Sequence, residues 1–439
     1  MKYCARPNLP QLNFEKFSVI GGARSGVAAA KLLRKNDFTV FLSETDKKRF
    51  AQNSNLVESL GIEYEVGAHS SRVLDSDCII VSPGAPLSIP VLQEARGRGI
   101  PIIGEIELAF HFCQGRIIAI TGSNGKSSAT ALLGHILQTA GVGHFVAGNI
   151  GLPFSSVAQE MRSEDIVALE VSSFQLETID RFHPEAAIIL NLSPDHLDRH
   201  GSYEQYIQAK MRILRNQNAA DCAILNKDDQ RLRLEIDSRF VLSEKIWFST
   251  RELASQFAGA LKIPGSHNLA NAAAAVTAAR RLNLQEDAIV EALQTFQGLE
   301  HRLEFVRRVR GVDYFNDSKA TNVDALSAAL QSFRRPIVLI AGGKNKGDDF
   351  SRLRELMQSK VKEIILLGET AASIAKQVAL QDKSWRFLSL AEAVGKSRNL
   401  ALPGDVVLFS PGCSSFDMFD NFEERGRQFK ALVNNFAAK

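Results

Sequence analysis

The stretch RIIAITGSNGKSSATALLGHILQTAG, residues 116–141, limits what this chain can fold into more than any other. Arg116–Ile120 is an apolar run too short for a buried helix and flanked by turn residues, so it reads as a strand. Gly122 and Gly125 break it. Ser127 to Ala140 then reads as a helix, stopped by Gly141. A strand that passes through a glycine loop straight into a helix is half of a βαβ unit, and βαβ units build parallel sheets.

The grammar recurs along the chain. In FSVIGGARSGVAAAKLLRKNDFTVFLSE (17–44), Phe17–Ile20 is a strand, Gly21-Gly22 a turn, Gly26–Arg34 a helix and Phe38–Leu42 a second strand. DCIIVSPGAP (77–86), DIVALEVSS (165–173), EAAIILNLSP (185–194) and CAILNKDD (222–229) each carry a further buried strand. So do PIVLIAGG (336–343), EIILLGE (363–369) and DVVLFSPG (405–412), while NLANAAAAVTAARRL (268–282) reads as a helix. The 439 residues allow about two to four domains. We expect three α/β domains, at 1–104, 105–299 and 300–439.

Composition excludes several classes. Net charge is only +3, so no nucleic-acid partner is called for. No apolar run approaches a membrane span of about 18 residues, and no secretory leader is visible. The cysteines at 4, 78, 113, 222 and 413 are scattered without metal spacing, as expected of small core residues in a reducing cytoplasm.

Gly122, Ser123, Asn124, Gly125, Lys126, Ser127 and Ser128 have the form of a phosphate-binding loop, although Ile120 stands where the longer pattern has a glycine. Backbone N–H groups and the helix N-terminus would face an anion. Lys126 would meet the outer phosphates, and the Ser127 hydroxyl suits Mg²⁺. The turn at 21–26 is less specific, because Ala23 interrupts the dinucleotide pattern. A dinucleotide site, another nucleotide site and a structural turn all fit it. The second strand, where an acid would meet a ribose, ends in Ser43-Glu44.

Other residues point toward metal chemistry. Glu170 closes an apolar strand and is a natural Mg²⁺ ligand, though such carboxylates also occur without function. SPDHLDRHG (193–201) packs Asp195, His196, Asp198 and His200 together at the same sheet end. Lys210 sits on an apolar helical stripe with Tyr206, Ile207, Ile213 and Leu214. Either it snorkels, or it is desolvated with a lowered pKa. A neutral amine could take up CO₂ as a carbamate and become a metal ligand.

TGSNGKSS, GNIG (148–151), EVSSFQLE (170–177), SPDHLDRHG, GSHNLANAAAA (265–275), EHRLE (300–304), NDSKATN (316–322) and SPGCSSFDMFDNFEERG (410–426) occur in this order. Together they resemble the Mur ligase superfamily over almost the whole chain. The resemblance implies three α/β domains: an N-terminal Rossmann-like one for a UDP-substrate, a central mostly parallel P-loop-type one for ATP, and a C-terminal Rossmann-like one for an amino acid. It implies a cytoplasmic, monomeric enzyme forming an amide bond between UDP-MurNAc-L-Ala and D-glutamate.

The same resemblance distributes the site residues. Lys126, Glu170, His196 and Lys210 would be catalytic. Ser127 would hold one Mg²⁺, and Glu170, His196 and carbamylated Lys210 a second. Asn268, Asn271, Arg302 and Asp317 would join the phosphate loop around ATP. Arg24, Ser25, Ser82 and Gly84 would hold the UDP portion, and Asn149, Gln175 and His196 the muramoyl-alanine end. Lys319, Thr321, Lys346, Ser415 and Phe422 would hold D-glutamate. Ser43-Glu44-Thr45 departs from the family's usual Asp-Thr-Arg run, which leaves the uridine contacts open.

Overall fold

The computed structural model describes residues 14–257, 261, 265–344, 347 and 349–436. Cys4 and Lys346 lie outside them. Seventeen strands form three sheets among the described residues. The first holds β1 (Lys16–Ile20), β2 (Thr39–Glu44), β3 (Glu63–Val66), β4 (Cys78–Val81) and β5 (Ile102–Gly104), ordered β3-β2-β1-β4-β5 and parallel throughout. The chain winds outward from β1 in both directions. Its topological switch point therefore lies between β1 and β4, where ligands of such sheets bind.

The second sheet holds β6 (Arg116–Thr121), β7 (His144–Gly148), β8 (Ile166–Glu170), β9 (Ala186–Ile189), β10 (Cys222–Asn226) and β11 (Glu244–Phe248). Their order is β11-β10-β9-β6-β8-β7, again fully parallel. The third holds β12 (Glu304–Val309), β13 (Val312–Asn316), β14 (Ile337–Gly342), β15 (Val361–Leu367), β16 (Ser384–Phe387) and β17 (Val406–Phe409), ordered β12-β13-β17-β14-β15-β16. Here β12 pairs antiparallel with β13, and the remaining pairs are parallel. The third sheet is thus doubly wound with one reversed edge strand.

Contacts along the chain divide it into two compact units. One spans 1–252 and 271–292 and carries the first two sheets; the other spans 253–270 and 293–439 and carries the third. Each sheet is covered on both faces. In the first sheet Val19, Leu42 and Ile80 pack on Leu32 and Leu33, while Ile20, Ile79 and Val81 pack on Leu92. Each such fully buried side chain contributes about 1.5–3 kcal/mol. Cys78, Cys113, Cys222 and Cys413 are buried free thiols, and burial pushes Cys78 up to about 12.

The link between the first two sheets is held by a carboxylate. Glu107 lies in the helix Glu105–Phe112 and accepts from the backbone N–H groups of Asp180, Arg181 and Phe182 at 2.8, 2.9 and 2.9 Å. Burial opposes its ionisation. Hydrogen bonds from His111 and from those three amides outweigh that cost and hold its carboxyl below the usual range.

Candidate functional site

β6 runs into a loop that only glycine can make. Gly122 and Gly125 have φ of 152° and 85°, and a Cβ at Gly125 would collide with the Asn271 side chain. Gly125 caps the helix Lys126–Thr139, whose N-terminal N–H groups open toward the loop. The loop is braced from the end of β9. Asn124 N–H donates to Asn191 Oδ1 at 2.8 Å, and Ser123 N–H to the Asn191 carbonyl at 3.0 Å. The Ser123 hydroxyl accepts from Ser193 N–H and Tyr206 Oη, at 2.9 and 3.0 Å, and donates to the Ser193 carbonyl. Ser127 and Ser128 are buried in the first turn of the helix.

Two lysines from different helices converge on this loop. Lys126 Nζ donates to the carbonyls of Gly122 and Ser123, both at 2.9 Å. Lys210, from the helix Tyr203–Met211, donates to the same Gly122 carbonyl at 2.8 Å. Lys210 is only 1% exposed, so it does not snorkel. Its Nζ lies 4.5 Å over the Tyr206 ring. Burial first, then the positive charge of Lys126, lowers its pKa well below that of a free lysine, against the pull of Asp195 and Glu170.

Glu170 ends β8, which pairs with β6 so that Ile120 and Glu170 are neighbours. It is 1% exposed. Oε1 accepts from Asn149 Nδ2 at 2.8 Å, while Oε2 is buried with no hydrogen-bond partner. A buried carboxylate oxygen left over in this way fits a cation. Among the described residues no three His, Cys, Asp or Glu side chains stand grouped as metal ligands.

The polar loop 193–201 divides by role. His200 is buried, with Nε2 3.0 Å from Ser173 Oγ and Nδ1 3.1 Å from Glu177, and its ring stacks on Phe174. It is a packing residue. His196 is exposed at φ 52°, with its ring 4.9 Å from Phe174 and Nε2 3.6 Å from Asp195. Arg199 lies 4.0 Å over Phe174 and donates to the Pro83 and Ala85 carbonyls at 2.7 and 3.2 Å. It ties this loop to the end of β4, a contact the sequence did not disclose.

A cavity of about 420 Å³ opens at the switch point of the first sheet. Arg24, Ser25, Ser82, Gly84, Asn149 and Gln175 all line it, and His196 does not. The glycine turn is shaped by close approach. A Cβ at Gly26 would strike the Gly21 carbonyl, and one at Gly21 would lie 2.5 Å from Ser82 Oγ. Arg24 donates to the Gly151 carbonyl. Gln175 accepts from the Ser172 amide at 2.9 Å in a capping box. Glu44, Thr45, Arg49 and His69 line the same cavity; of these, sequence reading singled out only the Glu44-Thr45 stretch.

In the other unit, Asp317 follows β13. It accepts from Leu303 N–H at 3.1 Å and from Ser410 Oγ at 2.7 Å. Burial pushes it up to about 7. Burial and the charge of Arg302 push His267 down to about 4. Asn268 is buried here, and Asn271, three residues on in the helix Ser266–Arg281 but counted with the first unit, is buried as well. Lys319 Nζ lies 4.9 Å over the Phe422 ring, so these two candidates meet. Thr321 directly precedes the N-cap of the helix Val323–Gln331. Buried Ser415 accepts from Met418 and Phe419 N–H at 3.1 and 2.9 Å. Arg425, which sequence reading passed over, is buried on the carbonyls of Ser318 and Cys413.

A phosphate-type loop met by two lysines beside an unsatisfied carboxylate defines the class of α/β proteins built to handle nucleotide phosphates. Comparison with known proteins narrows that class. Residues 120–279 match the Mur ligase middle domain, 301–413 the Mur ligase glutamate ligase domain, and 16–88 the MurD N-terminal domain. The UDP-N-acetylmuramoylalanine–D-glutamate ligase of Salinibacter ruber is 41% identical over 95% of this chain and 97% of its own. That of Koribacter versatilis is 43% identical over the same shares. The MurF ligase of Thermotoga maritima, solved in complex with ADP, shares the fold with a TM-score of 0.61 at 16% identity, over 91% of this chain and 96% of its own. The chain belongs to the Mur ligase family.

Proposed function

We infer that this chain is an ATP-dependent ligase that joins D-glutamate to UDP-MurNAc-L-Ala through an acyl phosphate, in the cytoplasmic synthesis of peptidoglycan precursors. The observation that carries this reading is the meeting of Lys126 and Lys210 at the Gly122 carbonyl, with the unpaired Glu170 oxygen at the end of the adjacent strand. Full-length relatives at about 40% identity support it. In this reading residues 1–104 take the UDP-substrate, 105–299 ATP and 300–439 the amino acid, and the chain acts as a monomer. Among the described residues no helix is long and apolar enough to cross a membrane.

A carboxylate does not acylate an amine directly, because oxide is too poor a leaving group. The alanyl carboxylate first attacks the γ-phosphorus of ATP, and ADP departs. Lys126 leaves the Gly122 and Ser123 carbonyls for the transferring phosphoryl group, whose charge it stabilises. Loop amides and the helix N-terminus hold the remaining phosphates. The amine of D-glutamate then attacks the acyl carbon, phosphate leaves, and the amide remains.

Ser127, and Glu170 with His196 and carbamylated Lys210, would hold Mg²⁺, which supplies charge neutralisation to the polyphosphate when bound. Asn268, Asn271, Arg302 and Asp317 serve the nucleotide. Asn149 and Gln175 position the alanyl end. Lys319, Thr321, Lys346, Ser415 and Phe422 serve D-glutamate. The test is phosphate release from ATP with UDP-MurNAc-L-Ala and a panel of amino acids. Release with D-glutamate alone is expected. Release with a diamino acid instead would assign a different substrate.

A further inference from the structure

The cavity over the first sheet has two chemically different ends. Asn149 and Gln175 line one, beside Glu170 and the phosphate loop; Glu44 at the end of β2, with Thr45, Arg49 and His69 from the segments that follow β2 and β3, lines the other. On the reading proposed above, on which this inference rests, the reacting carboxylate occupies the first end. The nucleoside of the same substrate then reaches the second.

Glu44 is already committed at that end. Its Oε2 accepts from Gly22 N–H at 2.7 Å and its Oε1 from Asp46 N–H at 2.9 Å. It holds the glycine turn and leaves base reading to a neighbour. β2 and β3 pair so that Ser43 faces Glu65. The Ser43 hydroxyl lies 2.7 Å from Glu65 Oε1 and 2.6 Å from His69 Nδ1. A hydroxyl has one proton to give. Burial opposes ionisation of Glu65, but hydrogen bonds from Ser70 and Ser43 outweigh it and hold the carboxyl below the usual range. An ionised carboxylate only accepts, so the Ser43 proton goes to Glu65. Ser43 must then accept from His69, which puts the ring proton on Nδ1.

Burial lowers the pKa of His69, against the pull of Glu44 and Glu65, so the ring is neutral at pH 7. A neutral ring protonated at Nδ1 keeps a lone pair on Nε2. That atom has no hydrogen-bond partner among the described residues, and its ring lines the cavity. We propose that His69 is the specificity-determining residue for the nucleobase, its Nε2 accepting the N3–H of uracil. The Glu65–Ser43–His69 chain sets the tautomer. Cytosine carries a lone pair at N3 and meets Nε2 with repulsion; an N3-methylated uracil meets it with a steric clash.

The test is calorimetric titration of the full-length protein with UDP, CDP and N3-methyl-UDP. Wild type should bind UDP on the order of 10- to 100-fold more tightly than either analogue, the range for a site whose polar group is left unpaired by the wrong ligand. His69→Phe should weaken UDP by about that factor and leave CDP unchanged, which also reports that the variant is folded. His69→Gln, which can still offer an acceptor, should recover part of the preference. Equal affinity of wild type for UDP and N3-methyl-UDP, or a full preference retained in His69→Phe, overturns the assignment of His69 alone. Failure of UDP to bind wild type at all would instead sink the reading of the cavity, and this inference with it.

Discussion

The two glycine loops of the first unit occupy the same place in two parallel sheets and are built for opposite tasks. Each follows the strand from which its sheet is wound and leads into a helix. At Gly21–Gly26 the glycines permit contact: side chains there would strike Ser82 or the turn's own carbonyl. The Gly22 amide is bound by the Glu44 carboxylate, and positive charge enters only from Arg24 and Arg49 at the cavity lining. At Gly122–Gly125 the glycines permit left-handed backbone, and the Nζ atoms of two lysines donate to one carbonyl. One topology thus yields a cradle lined by arginines. It also yields a loop on which two lysines from different helices converge. Topology sets where ligands bind, and the side chains entering from neighbouring strands and helices set what happens there.

The sharpest way to break this contrast is to take Lys210 away from the second loop. Lys210→Ala should cost at least about 10³-fold in kcat, the scale of losing a group that stabilises developing charge. Added bicarbonate should leave the variant unchanged in a phosphate-release assay. A near-normal kcat would remove Lys210 from the chemistry. Next, the loops should fail separately. Gly125→Ala forces a side chain into Asn271 at positive φ and should raise KM for ATP about 10- to 100-fold; Gly26→Ala should do the same for UDP-MurNAc-L-Ala. Steady-state kinetics with each substrate varied in turn reads the difference. Equal damage to both constants by either variant would mean that the loops do not divide the work.

The third sheet extends the comparison. Its glycine turn, Gly342–Gly343, also has positive φ at both residues. Ser415→Ala and Lys346→Ala should raise KM for D-glutamate about tenfold and KM for ATP little; parallel increases in both would count against that pocket. The smallest effect concerns pH. Asp317 is raised from 3.8 to about 7 by burial. A group with a raised folded-state pKa stabilises most below its unfolded value, and that contribution is lost as pH rises through the folded value. The Tm of wild type should therefore fall between pH 4 and 7 by a few degrees more than that of Asp317→Asn. Identical pH profiles would show that Asp317 titrates as an exposed carboxyl does.

The central strands were legible because they are buried on both faces and read as apolar runs: β4, β8, β9 and β14 all fall within the expected stretches, and β1 begins one residue earlier than expected. Helix starts shifted by a residue or two, to Arg24 and Lys126. Sheet edges were not legible. β3 and β16 are partly exposed and mix charged with apolar residues. β13 was hidden for a different reason. It is fully buried, but Asp313 interrupts its apolar run, stabilised there by Arg308 and Arg335.

Among site residues, six that only the family resemblance singled out line one cavity. His69 could not be read from the sequence, since its partners Ser43 and Glu65 come from strands that only the sheet brings side by side. Lys210 could be read as anomalous because its neighbours Tyr206 and Ile207 are apolar, although the carbonyl it meets lies 88 positions away.

Arg199 gives the first unit a property that neither of its loops has alone. Its guanidinium donates to the Pro83 and Ala85 carbonyls and lies over the Phe174 ring, against which His196 and His200 also pack. A ligand that orders the Pro83–Ala85 loop therefore also orders the ring cluster beside the phosphate loop. Such a linkage is reciprocal: on the reading proposed above, whatever factor the UDP-bearing substrate adds to nucleotide affinity, the nucleotide returns to that substrate.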